Sequence, residues 1–193
     1  MRLRFCLMAG VFIISLIITP LTFAQPTIYL VRHAEKLAHW PDDGALDAFH
    51  PLSAEGVARA QKLAEQFQAG SVAAIFSSRT TRALHTALPL SQKLNLPVEV
   101  VDACMDTAAI ASFYKNLAQR FAVDKSIVLI SHSNLVPYLL IKAGLPKTCF
   151  KEIGIKASAP NEWLLIEGYE NIWKIEKLGS NRKNCADFTR MKF

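Results

Sequence analysis

The sequence predicts an α/β domain, a three-layer sandwich with a mostly parallel central sheet and helices on both faces. Three observations predict it. The segments "TIYLVR" at 27–32 and "SIVLIS" at 126–131 are almost continuously apolar, without the polar alternation of a half-exposed strand, so they read as strands buried on both faces. Strand-like and helix-like segments alternate along the chain, which favours parallel pairing through helical crossovers. Near the carboxyl terminus "EWLLIEG" and "NIWKIEKL" flank a turn at 168–171, and their alternation predicts an antiparallel hairpin at the sheet edge.

Two further strands are expected in "VAAIFSS" (72–78) and "PVEVV" (97–101). The first helix is predicted from Ala54 to about Gln68. Ser53 is its N-cap and Glu55 lies in its first turn, with Val57, Ala60, Leu63, Ala64 and Phe67 at helical spacing. "TTRALHTALPLSQKL" (80–94) is a second helix, bent at Pro89. A third runs from about Thr107 to Phe121, with Ile110, Phe113, Tyr114, Leu117 and Phe121 on one face. A fourth is "NLVPYLLIKAG", closing on Gly144.

Residues 1–24 stand apart from this pattern. Arg2 and Arg4 precede the apolar stretch "FCLMAGVFIISLIITPLTF", and Thr22 and Ala24 are small residues where a signal peptidase reads. That is the layout of a secretory signal peptide. A retained membrane anchor is the alternative, since the stretch approaches the length that spans a bilayer. Pro20 and the small-residue exit favour cleavage, which places the domain at 25–193, exported and without stable membrane insertion. Cys6 sits too early to be a lipid-attachment cysteine.

The formal charge is +6; Arg2 and Arg4 account for two of it, leaving +4 on the domain. No run of Lys/Arg interleaved with aromatics appears, so nucleic acid is not an expected partner. A mild positive bias suits a small anionic substrate. Cys104, Cys149 and Cys185 remain after cleavage, an odd number for an oxidising compartment. Cys149 with Cys185 would staple the tail to the body and leave Cys104 free, but spacing does not decide the pairing. No Cys/His spacing suggests a zinc site.

Polar residues gather where the strands end, the edge at which parallel sheets bind ligands. The first strand ends in Arg32-His33. The second ends in Ser77-Ser78, with Arg82 soon after, and the fourth in Ser131-His132-Ser133-Asn134. Alone, Arg82 reads as a solvated helix residue and His132 as a satisfied loop histidine. Together, two arginines and two histidines at three strand ends suit phosphoryl transfer. Guanidinium forks match phosphate oxygens. A neutral imidazole attacks phosphorus and splits one hard displacement into two. A second, protonated imidazole adds a charge-assisted hydrogen bond. The arginines supply the charge, so no metal or other cofactor is expected.

The blocks "LVRHAEK", "LSAEGVARAQKLA", "FSSRTTRALHTALPL" and "VLISHSN" resemble, in order and spacing, those of the histidine phosphatase superfamily, also called phosphoglycerate mutase-like, over roughly Thr27 to Gly144. The resemblance implies that His33 is the nucleophile phosphorylated in the cycle. It further implies that Arg32 and Arg82 bind phosphate, that His132 is the second histidine, and that Ser133 and Asn134 lie near the site. Ala34 stands where the family has glycine. His85 stands where glutamine is usual, and is read as structural. One branch of the family takes its proton donor from the loop after the third strand, the other from an acid directly after the second histidine. Ser133 follows His132 here, so the first branch fits, with Asp102 and Asp106 as candidate donors. Asp106 is also placed to cap the helix that follows.

Other residues carry weaker signals. Glu35 and Lys36 either touch substrate or form a surface ion pair. Lys36, His39, Trp40 and His50 belong to a segment that either rims the site or is a solvated loop. Trp163 and Trp173 are read as core. The expected function is a metal-independent phosphatase for small phosphomonoesters, with a cell-envelope phosphosugar such as a lipopolysaccharide core sugar as one substrate class. A phosphoglycerate-mutase-like phosphotransferase and a phosphosugar-binding module without turnover are the alternatives. Export argues against a glycolytic mutase.

Overall fold

The computed structural model describes residues 26–39, 47–121, 125–159, 163–176, 178 and 184–193. The leader at 1–24 and Trp40 lie outside them. Strands β1 (Thr27–Arg32), β2 (Ala74–Ser77), β3 (Val98–Val100) and β4 (Ser126–Ser131) pair in parallel in the order β3-β2-β4-β1. The same sheet continues antiparallel through β7 (Asn171–Ile175) to β8 (Phe188–Lys192), while β5 (Ile155–Ala157) and β6 (Leu164–Ile166) form a separate antiparallel pair. Five α-helices accompany the strands: α1 (Ala54–Glu65), α2 (Thr81–Leu94), α3 (Ile110–Arg120), α4 (Val136–Lys142) and α5 (Phe150–Ile153).

Side chains that alternate along each strand divide the core into two layers. Ile28, Leu30, Phe76, Ile127, Leu129 and Trp173 face α3, α4 and α5. Val31, Ile75, Val128, Ile130 and Ile172 face α1 and α2. Both strand faces are therefore dry, which explains the unbroken apolar runs; each such fully buried aliphatic side chain contributes about 1.5–3 kcal/mol.

Local signals set the helix starts. The Ser53 hydroxyl accepts from the Gly56 amide at 3.1 Å and opens α1 as expected. Gly56 permits a close approach: a Cβ there would lie 2.2 Å from the Glu35 carbonyl oxygen, which also accepts from the Ser53 amide. The start of α1 is thus pressed against the backbone two residues past His33. The helix ends at Glu65 rather than Gln68, and Val57 is half exposed rather than core. Pro89 lies inside α2 without ending it, and Asn95, at φ 53°, provides the left-handed cap. The third predicted helix begins as a 3-10 turn at Thr107–Ala109.

The carboxyl-terminal pairing differs from the predicted hairpin. The turn at 168–171 is a corner: β6 leaves it to pair with β5, and β7 enters the main sheet beside β1. Trp173 and Ile175 are fully buried, a demand that an edge strand does not meet, and β8 becomes the edge instead. Trp163, read as core, is 64% exposed. Trp173 is core, its indole N–H donating to the Ile153 carbonyl at 2.9 Å. A disulfide joins Cys149, just before α5, to Cys185, just before β8. Cys104 is free and buried, and burial pushes its thiol up to about 12, which makes it unreactive.

Candidate active site

The register between β1 and β4 places the two histidines. Arg32 pairs with Ser131, and the His33 amide donates to the Ser131 carbonyl at 2.8 Å. His33 and His132 therefore leave the sheet side by side, their rings 5.1 Å apart between centroids and 61° between planes. On the other flank of β4, Ser77 of β2 pairs with Ile130, so Ser78 emerges next to His132, with its hydroxyl 2.9 Å from His132 Nε2. Arg82, the second residue of α2, reaches back to His33: its Nε donates to His33 Nε2 at 3.2 Å. Thr86, one turn further on, ties the two segments together. Its hydroxyl donates to the Arg82 carbonyl at 2.7 Å and accepts from the Ala34 amide at 2.9 Å.

These contacts fix the tautomer of His33. Nδ1 lies 2.7 Å from the Ala34 carbonyl, which can only accept, and Nε2 faces an arginine N–H, which can only donate. The proton is on Nδ1 and the lone pair on Nε2. Burial, with His132, Arg82 and Arg32 nearby, pulls His33 down to about 3; burial and Arg82 pull His132 down to about 4. Both rings are therefore neutral at pH 7. A bound phosphate dianion would offset the cationic neighbours and so raise both values.

The two arginines are engaged differently. Arg82 donates through NH1 to the Asp47 carbonyl at 2.5 Å and through NH2 to Asp47 Oδ2 at 2.8 Å. The other Asp47 oxygen meets the Lys36 ammonium, also at 2.5 Å. Lys36 and Arg82 hold the Asp47 carboxyl below its usual range. Arg32 instead donates through NH1 to the Gly168 carbonyl at 3.2 Å and through NH2 to the Tyr169 hydroxyl at 3.0 Å. Its guanidinium lies 3.9 Å above the Tyr169 ring, and its buried Nε has no hydrogen-bond partner among the described residues.

Arg32, His33, Arg82 and His132 thus share one site. Of the candidate proton donors, Asp106 accepts from the Ala108 amide at 2.8 Å and caps the 3-10 turn before α3. Asp102 is exposed in the same loop, which packs on the end of β4 where the Ser131 hydroxyl donates to the Cys104 carbonyl at 2.9 Å. Glu35 and Lys36 are both ion-paired, with separate partners. Glu35 takes both its oxygens to Arg59 Nε, at 2.7 and 2.8 Å, and so ties the segment after β1 to α1. His50 is buried, His39 and Asn134 are exposed, and the Ser133 carbonyl accepts from Ile166. His85 is exposed on α2, away from the core. Among the described residues no group of three His, Cys, Asp or Glu is placed to hold a metal ion.

Asp47, Thr86, Gly168 and Tyr169 were not singled out by sequence reasoning. Thr86 had a usable signal, four residues after Arg82 and hence on the same face of α2. Tyr169 had only its place beside a turn glycine, and Asp47 none beyond membership of a charged segment.

The model of the histidine phosphatase superfamily (branch 1) matches residues 28–110, which hold Arg32, His33 and Arg82. No curated protein sequence matches the chain significantly. Among solved structures, the protein histidine phosphatase SixA complexed with tungstate is similar at a TM-score of 0.58 and 18% identity, over 86% of this chain and 96% of that one. A phosphohistidine phosphatase SixA assigned in Agrobacterium tumefaciens gives 0.57 and 16% over 87% and 96%. An Escherichia coli K-12 protein assigned as an alpha-ribazole-5'-P phosphatase gives 0.56 and 18% over 88% and 96%. These identities speak to the fold. Residues 28–110, with the motif blocks they hold, are thus similar to branch 1 of the histidine phosphatase superfamily, and the fold of the chain is the one these solved structures share.

Proposed function

We propose that the chain is an exported phosphatase that hydrolyses small phosphomonoesters through a phosphohistidine on His33, without a metal ion. The observation that carries this is the His33 imidazole, held as one neutral tautomer with its Nε2 lone pair facing the Arg82 guanidinium. A phosphoryl group seated on Arg82 and Arg32 presents phosphorus to that lone pair. The N–P bond forms as the P–O bond to the leaving group breaks, and the departing oxygen takes up a proton. Water then attacks phosphorus, the N–P bond breaks, and inorganic phosphate leaves with His33 again neutral. His132, whose own basicity rises when the dianion binds, donates to a phosphoryl oxygen as charge builds.

Asp106 is spent on its helix cap. Asp102 is the donor candidate whose carboxylate makes no hydrogen bond among the described residues, and we assign it the proton of a poor leaving group; an acidic leaving group needs none. The apolar leader with Thr22 and Ala24, and the Cys149–Cys185 disulfide, support a location outside the cytoplasm. There a phosphorylated sugar of the cell envelope is the substrate class that fits the mild positive charge.

The test uses purified mature protein with p-nitrophenyl phosphate and a panel of phosphosugars, with and without chelator. Phosphate release that survives chelator, disappears in His33→Ala and passes through an acid-labile phosphoenzyme is expected. Release by His33→Ala, or loss of release with chelator, overturns the mechanism. Sequencing the amino terminus of protein recovered from the cell envelope fraction should begin at Gln25.

A further inference from the structure

We infer that Tyr169, from the corner between β6 and β7, is a positioning residue of this site: it holds the Arg32 guanidinium in the plane that a phosphoryl group needs. This rests on the phosphohistidine reading above. The residue lies some 60 positions beyond the segment matched by the family model, in the region whose pairing the local pattern did not foretell.

Three independent contacts converge on it. The Tyr169 hydroxyl accepts from Arg32 NH2 at 3.0 Å. Its ring lies beneath the same guanidinium, 3.9 Å from Cζ to centroid. That ring is also 6.1 Å from the His33 imidazole, so the tyrosine reaches the nucleophile as well as the arginine. The preceding carbonyl, Gly168 O, takes the other terminal nitrogen, NH1, at 3.2 Å. A guanidinium on a flexible stem loses rotamer freedom when it grips a phosphate. Stacking it on an aromatic face and tethering both terminal nitrogens removes that freedom beforehand.

The corner itself is braced to carry this load. Gly168 has φ +76°, the left-handed region, and a Cβ there would come within 2.7 Å of the Glu170 carboxylate. The same carboxylate accepts from the Tyr169 amide at 3.0 Å, and the buried Asn171 side chain donates to the Glu167 carbonyl at 3.3 Å. The Glu170 carbonyl accepts from Phe193 of the terminal segment at 3.0 Å. The first bond stiffens the corner itself, and the other two tie it to β7 and to the segment after β8. Tyr169 is held by that half, and Arg32 by the parallel half.

Because Tyr169 acts through Arg32, its removal should change phosphate affinity and turnover without changing the nucleophile. Tyr169→Phe keeps the ring and loses the hydroxyl; kcat/KM should fall about three- to ten-fold, the net worth of a typical hydrogen bond. Tyr169→Ala loses the ring too and should fall about 30- to 100-fold, with weaker binding of tungstate or inorganic phosphate measured by calorimetry. The deciding measurement is the double-mutant cycle with Arg32→Ala, followed in phosphoenzyme formation. If Tyr169 acts through the arginine, Tyr169→Ala costs nothing further in the Arg32→Ala background. Additive losses in that cycle, or wild-type anion affinity in a folded Tyr169→Ala protein with unchanged melting temperature, overturn the inference. Failure of the phosphohistidine reading itself would show separately, as activity in His33→Ala.

Discussion

The two arginines beside His33 are held by walls of opposite character. Arg82 comes from the parallel half of the fold and meets an anion: the Asp47 carboxylate, whose side chain is 61% exposed and which Lys36 also grips. Arg32 is met from the antiparallel half by neutral partners, a carbonyl, a hydroxyl and an aromatic face. The difference teaches where a phosphate would compete. At Arg82 a phosphate would meet a carboxylate of the chain's own, already bonded to the guanidinium. At Arg32 no anion is in contact among the described residues, and the wall supplies orientation instead.

The largest way to break this comparison is to remove the arginine on the charged wall. Arg82→Ala should lower kcat/KM by about 10²- to 10³-fold, as expected for a lost donor to developing negative charge. Arg82→Lys should recover little of it, since one ammonium cannot reach both the His33 and phosphate positions of the fork. Near-wild-type turnover in Arg82→Ala would reduce that residue to a partner for Asp47.

A second test concerns both arginines, because burial first and then their charge keep the imidazoles neutral. His33 and His132 have folded values near 3 and 4, below the ordinary 6.5. Between 6.5 and those values the unfolded chain binds protons that the folded site refuses. Stability is therefore fully present above about pH 6.5 and falls as pH drops. The slope approaches about 1.4 kcal/mol per pH unit for each histidine. Thermal melts at pH 7 and pH 5 should show the drop, and His132→Asn should flatten it. An unchanged profile in the variant would mean that the second histidine is not held neutral.

The smallest effect sharpens the contrast most. Asp47→Asn should tighten inorganic phosphate by about two- to five-fold, the scale of an exposed ion pair, while leaving the Asp47 carbonyl contact in place. Weaker phosphate binding in that variant would show Asp47 to be an organiser of Arg82 rather than its competitor.

How much of this was legible beforehand follows from the range of each interaction. β1, β4 and α2 could be read almost to the residue, because a strand buried on both faces and an amphipathic helix are written in local periodicity. Arg32, His33, Arg82 and His132 could be read from their place at strand ends. The partners of β6 and β7 could not. Alternation in "EWLLIEG" and "NIWKIEKL" says that each segment has two unlike faces, but it does not say which strand lies alongside. The same limit hid Tyr169, whose partner is 137 residues away, and Glu35, whose charge is answered from α1.

By itself, then, the sequence determined the layered α/β plan and which four charged and imidazole side chains stand at the strand ends, since those depend on residue type and short spacing. Only the tertiary structure decided how each arginine is held, which imidazole nitrogen carries the lone pair, and which cysteines join. Those outcomes depend on the register between β1 and β4 and on a corner contributed by the far end of the chain. Contacts between distant segments are set by how the whole core closes, and no local pattern encodes them.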